Sequence, residues 1–186
     1  METRKIGVII GSLRKESYNR KIASQLMSQF PENYQVEIIE IGELPLYNED
    51  LDVEGMVPEA WTTFRKKVKE MDGYLFVTPE YNRSVPAAMK NALDVASRPY
   101  GSSGWDKKVG AVVSASTGAP GAFGANHHLR QSLVFLNVLT MQQPEAYLGN
   151  VTSFINDDGS ITNEGTLGFF QTIVDGFVAL TEQFYK

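Results

Sequence analysis

The chain has 186 residues, of which 42% are hydrophobic and 21% charged, as expected for one globular domain with a sizeable core. Its formal net charge of -5 argues against a general nucleic-acid-binding protein, which would carry a basic surface. The absence of cysteine excludes disulfides and thiol catalysis, and only two histidines argue against a His-rich metal site. Neither a signal-like segment nor an apolar stretch of about 18 residues is found, so we expect a soluble cytoplasmic protein without membrane contact.

Apolar patterns predict alternating strands and helices along the chain. In chain order, the predicted strands are Lys5–Ile10, Tyr34–Ile41, Gly73–Thr78, Lys107–Ser114 and Asn137–Met141. The predicted helices are about Tyr18–Phe30, Pro58–Met71, about Pro86–Ala96, about Phe123–Phe135 and about Asn163–Tyr185. Such alternation indicates a parallel sheet with right-handed crossovers. Five strands in this rhythm predict an α/β, flavodoxin-like three-layer sandwich of strand order 2-1-3-4-5, as a single domain over residues 1–186.

Residues 42–57 interrupt this rhythm with prolines, acids and a glycine, and we interpret them as a long excursion from the sheet. The acidic cluster at Asp50–Glu54 is interpreted as a solvated loop face, because carboxylates alone at this spacing are common and do not indicate a metal site.

The first loop, residues 11–17, connects the first strand to a helix. Such a junction gathers unpaired backbone N–H groups at the positive end of a helix dipole, which together bind anions. Ser12, Ser17 and Asn19 add short donors, and Arg14 adds a forked cation suited to phosphate. The loop therefore predicts the phosphate site of a nucleotide-like cofactor, although an ordinary capped turn fits the same residues.

Two further loops follow the third and fourth strands. The second loop, residues 79–84, offers the aromatic Tyr81 and the amide Asn82, and the third loop, residues 115–122, is rich in glycine. Glycine lets backbone approach a flat ring, and the helix that follows favours an anionic reduced ring. Since the predicted strand order makes these loops neighbours, we expect them to converge on an FMN site. The chain lacks the Gly-x-Gly-x-x-Gly and Gly-x-x-x-x-Gly-Lys-Ser/Thr fingerprints of dinucleotide and P-loop sites.

These loops resemble the NAD(P)H-dependent FMN reductases, a family that includes quinone, chromate and azo-dye reductases. The matching segments are Gly11-Ser12-Leu13-Arg14 with Ser17 and Asn19-Arg20, then Pro79-Glu80-Tyr81-Asn82, then Lys90-Asn91-Ala92-Leu93-Asp94 with Ser97-Arg98-Pro99, and the Ser114–Gly121 loop with Leu129-Arg130. The match runs from about residue 5 to 142. The first two motifs are specific in this order, each after a strand.

The resemblance implies which residues hold FMN. Those implied at the phosphate are Ser12, Arg14, Ser17 and Asn19, with Arg20 as a further cofactor-binding candidate. Those implied along the ribityl chain and the ring are Pro79, Glu80, Tyr81, Asn82, Ser114, Ser116, Thr117, Gly118 and Gly121. Departures from the family occur at Arg83, where a glycine is usual, and at Gly121-Ala122 and Gly124-Ala125, where paired glycines are common.

The resemblance also implies that FMN takes a hydride from NADPH or NADH and reduces a quinone, flavin, azo or similar small acceptor. Since the three loops form a single open site and no second nucleotide motif is present, we expect a ping-pong mechanism. The flavin would carry the chemistry, so no catalytic side chain and no metal is expected. Glu80 is then interpreted as structural or as a subunit contact, and His127 and His128 as solvated or interface residues. A flavodoxin-type single-electron carrier and an FMN-binding regulator are the alternatives.

A homodimer or a tetramer is implied, with each flavin near an interface. The helices at Pro86–Ala96 and Phe123–Phe135 carry apolar residues beyond the needs of one sheet face, including Leu133, Val134 and Phe135. We expect them to pair across a two-fold axis.

Overall fold

The computed structural model describes residues 3–186, which alternate between strands and helices. The strands are β1 (Arg4–Ile10), β2 (Tyr34–Ile38), β3 (Gly73–Thr78), β4 (Lys108–Ala115), β5 (Val138–Thr140) and β6 (Ala146–Leu148). The helices are α1 (Tyr18–Met27), α2 (Glu59–Lys69), α3 (Ala87–Ala96), α4 (Phe123–Phe135) and α5 (Glu164–Phe184). Within this part of the chain, no helix combines the length and hydropathy needed to cross a bilayer.

The strands pair in parallel in the order β2-β1-β3-β4-β5, which confirms the predicted flavodoxin-like topology. The sheet also contains β6, which was not predicted. The first residues of β4 (108–110) pair with β5, and its last residues (113–115) pair with β6. Between β5 and β6 lies Pro144, which has no N–H to continue a ladder. The outer partner of β4 is therefore built from two three-residue strands, of which only β5 was predicted, within Asn137–Met141.

Apolar side chains cover both faces of the sheet. On one face, α1 and α5 pack over side chains such as Ile6 and Val8 of β1. On the other, α2, α3 and α4 pack over side chains such as Ile9, Tyr74 and Phe76. Burial on both faces explains the continuous apolar runs of β1 and β3, and it confirms the three-layer arrangement.

The end of α1 differs from the sequence prediction. The helix stops at Met27 rather than at Phe30, because the N–H groups of Gln29 and Phe30 bond to carbonyls three residues earlier, as in Phe30 N–H to Met27 O at 3.4 Å. This tighter bonding is typical of a helix end. Its start, with Ser17 as the N-cap, fixes the geometry of the first loop.

The excursion over residues 42–57 is tied to the domain by buried polar contacts. Asn91 of α3 accepts a hydrogen bond from Tyr47 N–H at 2.8 Å and donates to the carbonyls of Leu44 and Pro45. Asp52 accepts two hydrogen bonds from Arg65 of α2, at 2.7 and 2.8 Å. The expectation of a solvated face is therefore wrong for Asp52, whose side chain is only 8% exposed. Hydrogen bonds from Arg65 hold the pKa of this carboxyl below its usual range.

Candidate functional site

The first, second and third loops meet at the carboxyl edge of the sheet, as predicted from the strand order. A Cβ atom added to Gly11 would lie 3.2 Å from Pro79 Cδ, so the first and second loops are in contact. Glu80 Oε2 accepts a hydrogen bond of 3.1 Å from the Ala125 N–H, which joins the second loop to the start of α4 just after the third. Segments more than 100 residues apart in sequence thus form one surface.

The first loop presents polar groups that the protein itself leaves unused. Ser17 ends the loop, and its Oγ accepts a hydrogen bond from the Arg20 N–H at 3.3 Å. Among residues 3–186, the backbone N–H groups of residues 12–16 find no hydrogen-bond acceptor. Ser12 and Asn19 are nearly buried, and Asn19 Oδ1 has no partner in the described chain. Arg14 is exposed and forms no ion pair with a described residue. Unpaired donors and a free cation at a helix N-terminus fit a phosphate.

Arg20 is engaged elsewhere. Its guanidinium lies 2.8 Å from Glu40, just beyond β2, and this hydrogen bond raises the pKa of Arg20 above its ordinary value. The guanidinium is therefore partly neutralised beside the loop, unlike that of Arg14. A contact of Arg20 with a cofactor stays a prediction.

The second loop is a tight hairpin turn. Tyr81 and Ser84 exchange two backbone hydrogen bonds of 3.0 Å each, and both central residues, Asn82 and Arg83, have positive φ angles of 50° and 64°. Positive φ at both positions is typical of a type I′ turn, where asparagine and glycine are favoured. The turn leaves the Tyr81 ring 48% exposed at the edge of the site. The usual family glycine at position 83 is thus explained by backbone conformation, and Arg83 occupies a strained position.

Glu80 serves as the cap of α4. The residue preceding this helix, Ala122, has no side chain that can cap it, and the Glu80 carboxylate takes that role from the neighbouring loop. Arg83 Nη1 lies 3.2 Å from the other carboxylate oxygen. A Cβ at Gly124 would lie 2.9 Å from Glu80 Oε2, so glycine there permits the close approach. Glu80 thus holds the second loop against α4, and its contact with a cofactor stays a prediction.

Ser114 lies behind the third loop and not on its surface. The side chain has no exposed area, and its Oγ donates a hydrogen bond of 2.7 Å to the Gly121 carbonyl. A Cβ at Gly121, whose φ is +60°, would lie 2.6 Å from the Tyr147 backbone, so the loop rests directly on β6. Ser114 therefore supports the loop from within, and only the outer residues of the loop are available to a ligand.

The outer part of the third loop is exposed backbone. Thr117 and Gly118 lie on the surface, and Ser116 Oγ donates to the Gly118 carbonyl at 2.9 Å. In the described chain, the N–H groups of residues 117–119 make no backbone hydrogen bond. The first turn of α4 contains no acidic residue of its own, and the Glu80 carboxylate from the second loop caps it. The free N–H groups of the third loop suit the polar edge of a flavin ring.

An aromatic rim, formed by Phe123, His127 and Tyr147, borders the third loop. The Phe123 ring lies 4.2 Å from the His127 ring and 5.0 Å from the Tyr147 ring, measured between centroids. His127 Nε2 lies 3.0 Å from Tyr147 Oη, which donates to Glu145 at 3.1 Å. Sequence reasoning missed Tyr147 because β6 was not predicted. It interpreted His127 as solvated or at an interface, and the histidine is indeed exposed.

Two polar residues of α4 extend the site inward. Asn126 is fully buried and donates a hydrogen bond to Ser114 Oγ at 3.1 Å, while its Oδ1 accepts one from Arg130 Nε at 2.9 Å. Arg130 was noted in the sequence only as part of a matching motif. Its spacing of four residues from Asn126, one turn along the same helix face, was the available signal.

Comparison with known proteins adds independent information. The sequence model of the NADPH-dependent FMN reductase family matches residues 4–153. A quinone reductase of Pseudomonas putida is 55% identical over 94% of this chain and 92% of its own length. A 2-hydroxy-1,4-benzoquinone reductase of a Burkholderia species is 43% identical over 94% of each chain. The solved structure of FerB, a flavoenzyme NAD(P)H:(acceptor) oxidoreductase from Paracoccus denitrificans, is 38% identical, covers 97% of this chain and 98% of its own, and superposes with a TM-score of 0.90. The chain belongs to the NADPH-dependent FMN reductase family.

Proposed function

We propose that this protein is an FMN-dependent quinone reductase that takes its electrons from NADPH or NADH. Bound FMN would accept a hydride from the nicotinamide and pass the two electrons onward, and that chemistry belongs to the cofactor. The observation that carries the proposal is the meeting of three loops whose outer polar groups the protein leaves unpaired. The quinone as acceptor is supported by the names of the relatives from Pseudomonas putida and Burkholderia.

The chain's own residues have separate tasks in this proposal. The first loop and the start of α1 bind the phosphate through Ser12, Arg14, Ser17 and Asn19, with Arg20 in an outer position shared with Glu40. The second loop borders the ribityl chain and the ring through Pro79, Tyr81 and Asn82, while Glu80 holds that loop against α4. The third loop lies along the ring edge through Ser116, Thr117 and Gly118, supported by Ser114 and Gly121.

One open face serves both substrates. The protein would hold the ring between exposed loops, and no second nucleotide motif is present in the sequence. NAD(P)H and the quinone would therefore bind in turn at the same place, which gives ping-pong kinetics. Initial rates at several NADPH and benzoquinone concentrations should give parallel double-reciprocal lines. Intersecting lines would show that both substrates bind together.

The same assay separates the alternatives. A flavodoxin-type carrier exchanges single electrons with protein partners, and a regulator needs no turnover at all. The FMN-loaded protein should oxidise NADPH continuously when a quinone is its only acceptor. Tight FMN binding without such turnover would favour a carrier or a regulator.

The proposal includes assembly and location. We propose one FMN-binding domain per chain, acting in the cytoplasm as a homodimer or a tetramer. A groove of about 880 Å³ lies between α3 and α4. Tyr100 and Phe135 line it and are 92% and 90% exposed, which is unusual for large apolar side chains, and Val134, next to Phe135 in α4, is 71% exposed. Leu133, which we had assigned to the interface, is instead fully buried in the core.

A further inference from the structure

A chain of hydrogen bonds runs from α4 to the third loop. Arg130 Nε donates to Asn126 Oδ1 at 2.9 Å, Asn126 Nδ2 donates to Ser114 Oγ at 3.1 Å, and Ser114 Oγ donates to the Gly121 carbonyl at 2.7 Å. Asn126 and Ser114 are both fully buried. Every donor in the series points from the cation toward the loop, so the positive charge polarises the whole chain.

The charge of Arg130 is not neutralised by a neighbouring carboxylate. Its Nη1 donates to the Met141 carbonyl at 2.8 Å, and its Nη2 is buried without a partner in the described chain. Among residues 3–186, no acidic oxygen lies within ion-pair distance of this guanidinium. The guanidinium of the partly buried Arg130 therefore gives up part of its hydration without gaining an ionic partner, which leaves its charge available to the site.

The charge already acts on groups at the site. Burial and a hydrogen bond to Glu145 raise the pKa of Tyr147, and the positive charge of Arg130 opposes that rise. Tyr147 belongs to the aromatic rim, so the field of Arg130 reaches the edge of the third loop. Glu145 is the acidic residue beside Tyr147, but it is exposed and its field is weakened by solvent.

We propose that Arg130 is a positioning residue that favours the reduced, anionic form of the bound cofactor. The inference rests on the proposed FMN site at the third loop. As a general scale, a unit charge about 12 Å from an anion, at an effective dielectric constant of about 20, changes the affinity for that anion by roughly tenfold. Oxidised FMN has a neutral ring and gains much less affinity, so the effect appears in the ratio of the affinities for reduced and oxidised FMN.

The test uses the FMN-loaded protein and its two-electron midpoint potential. Arg130→Gln should lower the potential by about 30 mV, which corresponds to a tenfold weaker relative binding of reduced FMN. Arg130→Lys keeps the charge and should restore most of that loss. If Arg130→Gln does not fold, Asn126→Asp places a carboxylate against the intact guanidinium and should lower the potential in the same direction.

Two controls separate charge from structure. Ser114→Ala removes the last hydrogen bond of the chain but no charge, so it should lower the potential by much less than Arg130→Gln does. Lys66→Gln removes an exposed cation from α2 and should change neither the potential nor the affinity for FMN. An unchanged potential in Arg130→Gln or Asn126→Asp, or an equal shift in Ser114→Ala, overturns the role of Arg130. Failure of the wild-type protein to bind oxidised FMN in a fluorescence titration would instead overturn the site itself.

Discussion

Arg14 extends from the first loop without an ion pair to any described residue, so its charge is available to a ligand. A charge-assisted hydrogen bond is worth about 1.5–3 kcal/mol, and each 1.4 kcal/mol is about tenfold in affinity. Arg14→Ala should therefore weaken FMN binding by about 10- to 100-fold, with less loss if solvent screens the contact. Ser12→Ala should act in the same direction with a smaller effect, because the backbone donors remain.

Riboflavin supplies the matched comparison for Arg14, since it carries the same ring without the phosphate. Its affinity for the apoprotein should hardly change in either variant. Flavin fluorescence titration measures both ligands in the same way. Equal losses for FMN and riboflavin would falsify the phosphate assignment and leave Arg14 as a surface residue.

Arg83 has a φ of 64°, a conformation that costs a non-glycine residue about 1 kcal/mol. Its exposed ion pair with Glu80, at 3.2 Å, returns little of that cost. Arg83→Gly should raise the free energy of unfolding by up to about 1 kcal/mol, measured by urea denaturation of the apoprotein. Arg83→Ala loses the ion pair and keeps the strain, so it should be neutral or slightly destabilising. A glycine variant no more stable than the alanine variant would show that the turn is not strained.

At the scale of elements, the excursion over residues 42–57 depends on Asp52. Removing one partner of a buried ion pair costs about 3–5 kcal/mol, because the other charge is left uncompensated. Asp52→Asn should thus lower the free energy of unfolding by about 3 kcal/mol at pH 7. Asp50→Asn, at an exposed position of the same segment, should change it by less than about 0.5 kcal/mol.

The Asp52 contribution has a defined pH dependence. The folded-state pKa is lowered from the ordinary 3.8, so the stabilisation is complete above that value and is lost as the pH falls through the lower folded-state pKa. Wild type and Asp52→Asn should therefore converge in stability only below about pH 4. Convergence already at pH 6 would mean that another group titrates instead.

The strands and loops differed in how far the sequence could predict them. The apolar runs of β1 and β3 are buried on both faces and read as strands, and the strand order followed from their alternation with helices. β6 gave no signal, because three residues show no period. Within the site, the resemblance assigned Ser114 to the cofactor ring, since a motif gives the position of a residue but not the direction of its side chain. Only the structure shows the hydroxyl turned inward, toward Gly121.

Buried polar networks were the hardest feature to predict. Asn126 and Arg130 lie on α4, in which polar residues are mixed with apolar ones, so the sequence does not single these two out. Their partners, Ser114 and the Met141 carbonyl, come from elements that are brought together only by the fold. Sequence can suggest that such residues share a helix face, but it does not reveal what they contact.

At the scale of the whole molecule, the exposed apolar side chains beside the α3–α4 groove predict self-association. Light scattering at micromolar concentration should give at least a dimer mass. Phe135→Asp places a charge on this surface and should shift the mass toward the monomer. Phe184→Asp, at a residue of α5 that is 39% exposed, should leave the mass unchanged. A monomeric wild-type protein would contradict the proposed assembly.

The central claim is that the three loops hold an FMN through which electrons pass from NAD(P)H to a quinone. Anaerobic titration of the FMN-loaded protein tests it most directly. One equivalent of NADPH or NADH per flavin should bleach the visible flavin absorption by transfer of two electrons, and one equivalent of benzoquinone should then restore it. A flavin that neither nicotinamide bleaches, or a bleached flavin that the quinone leaves unchanged, would contradict the account.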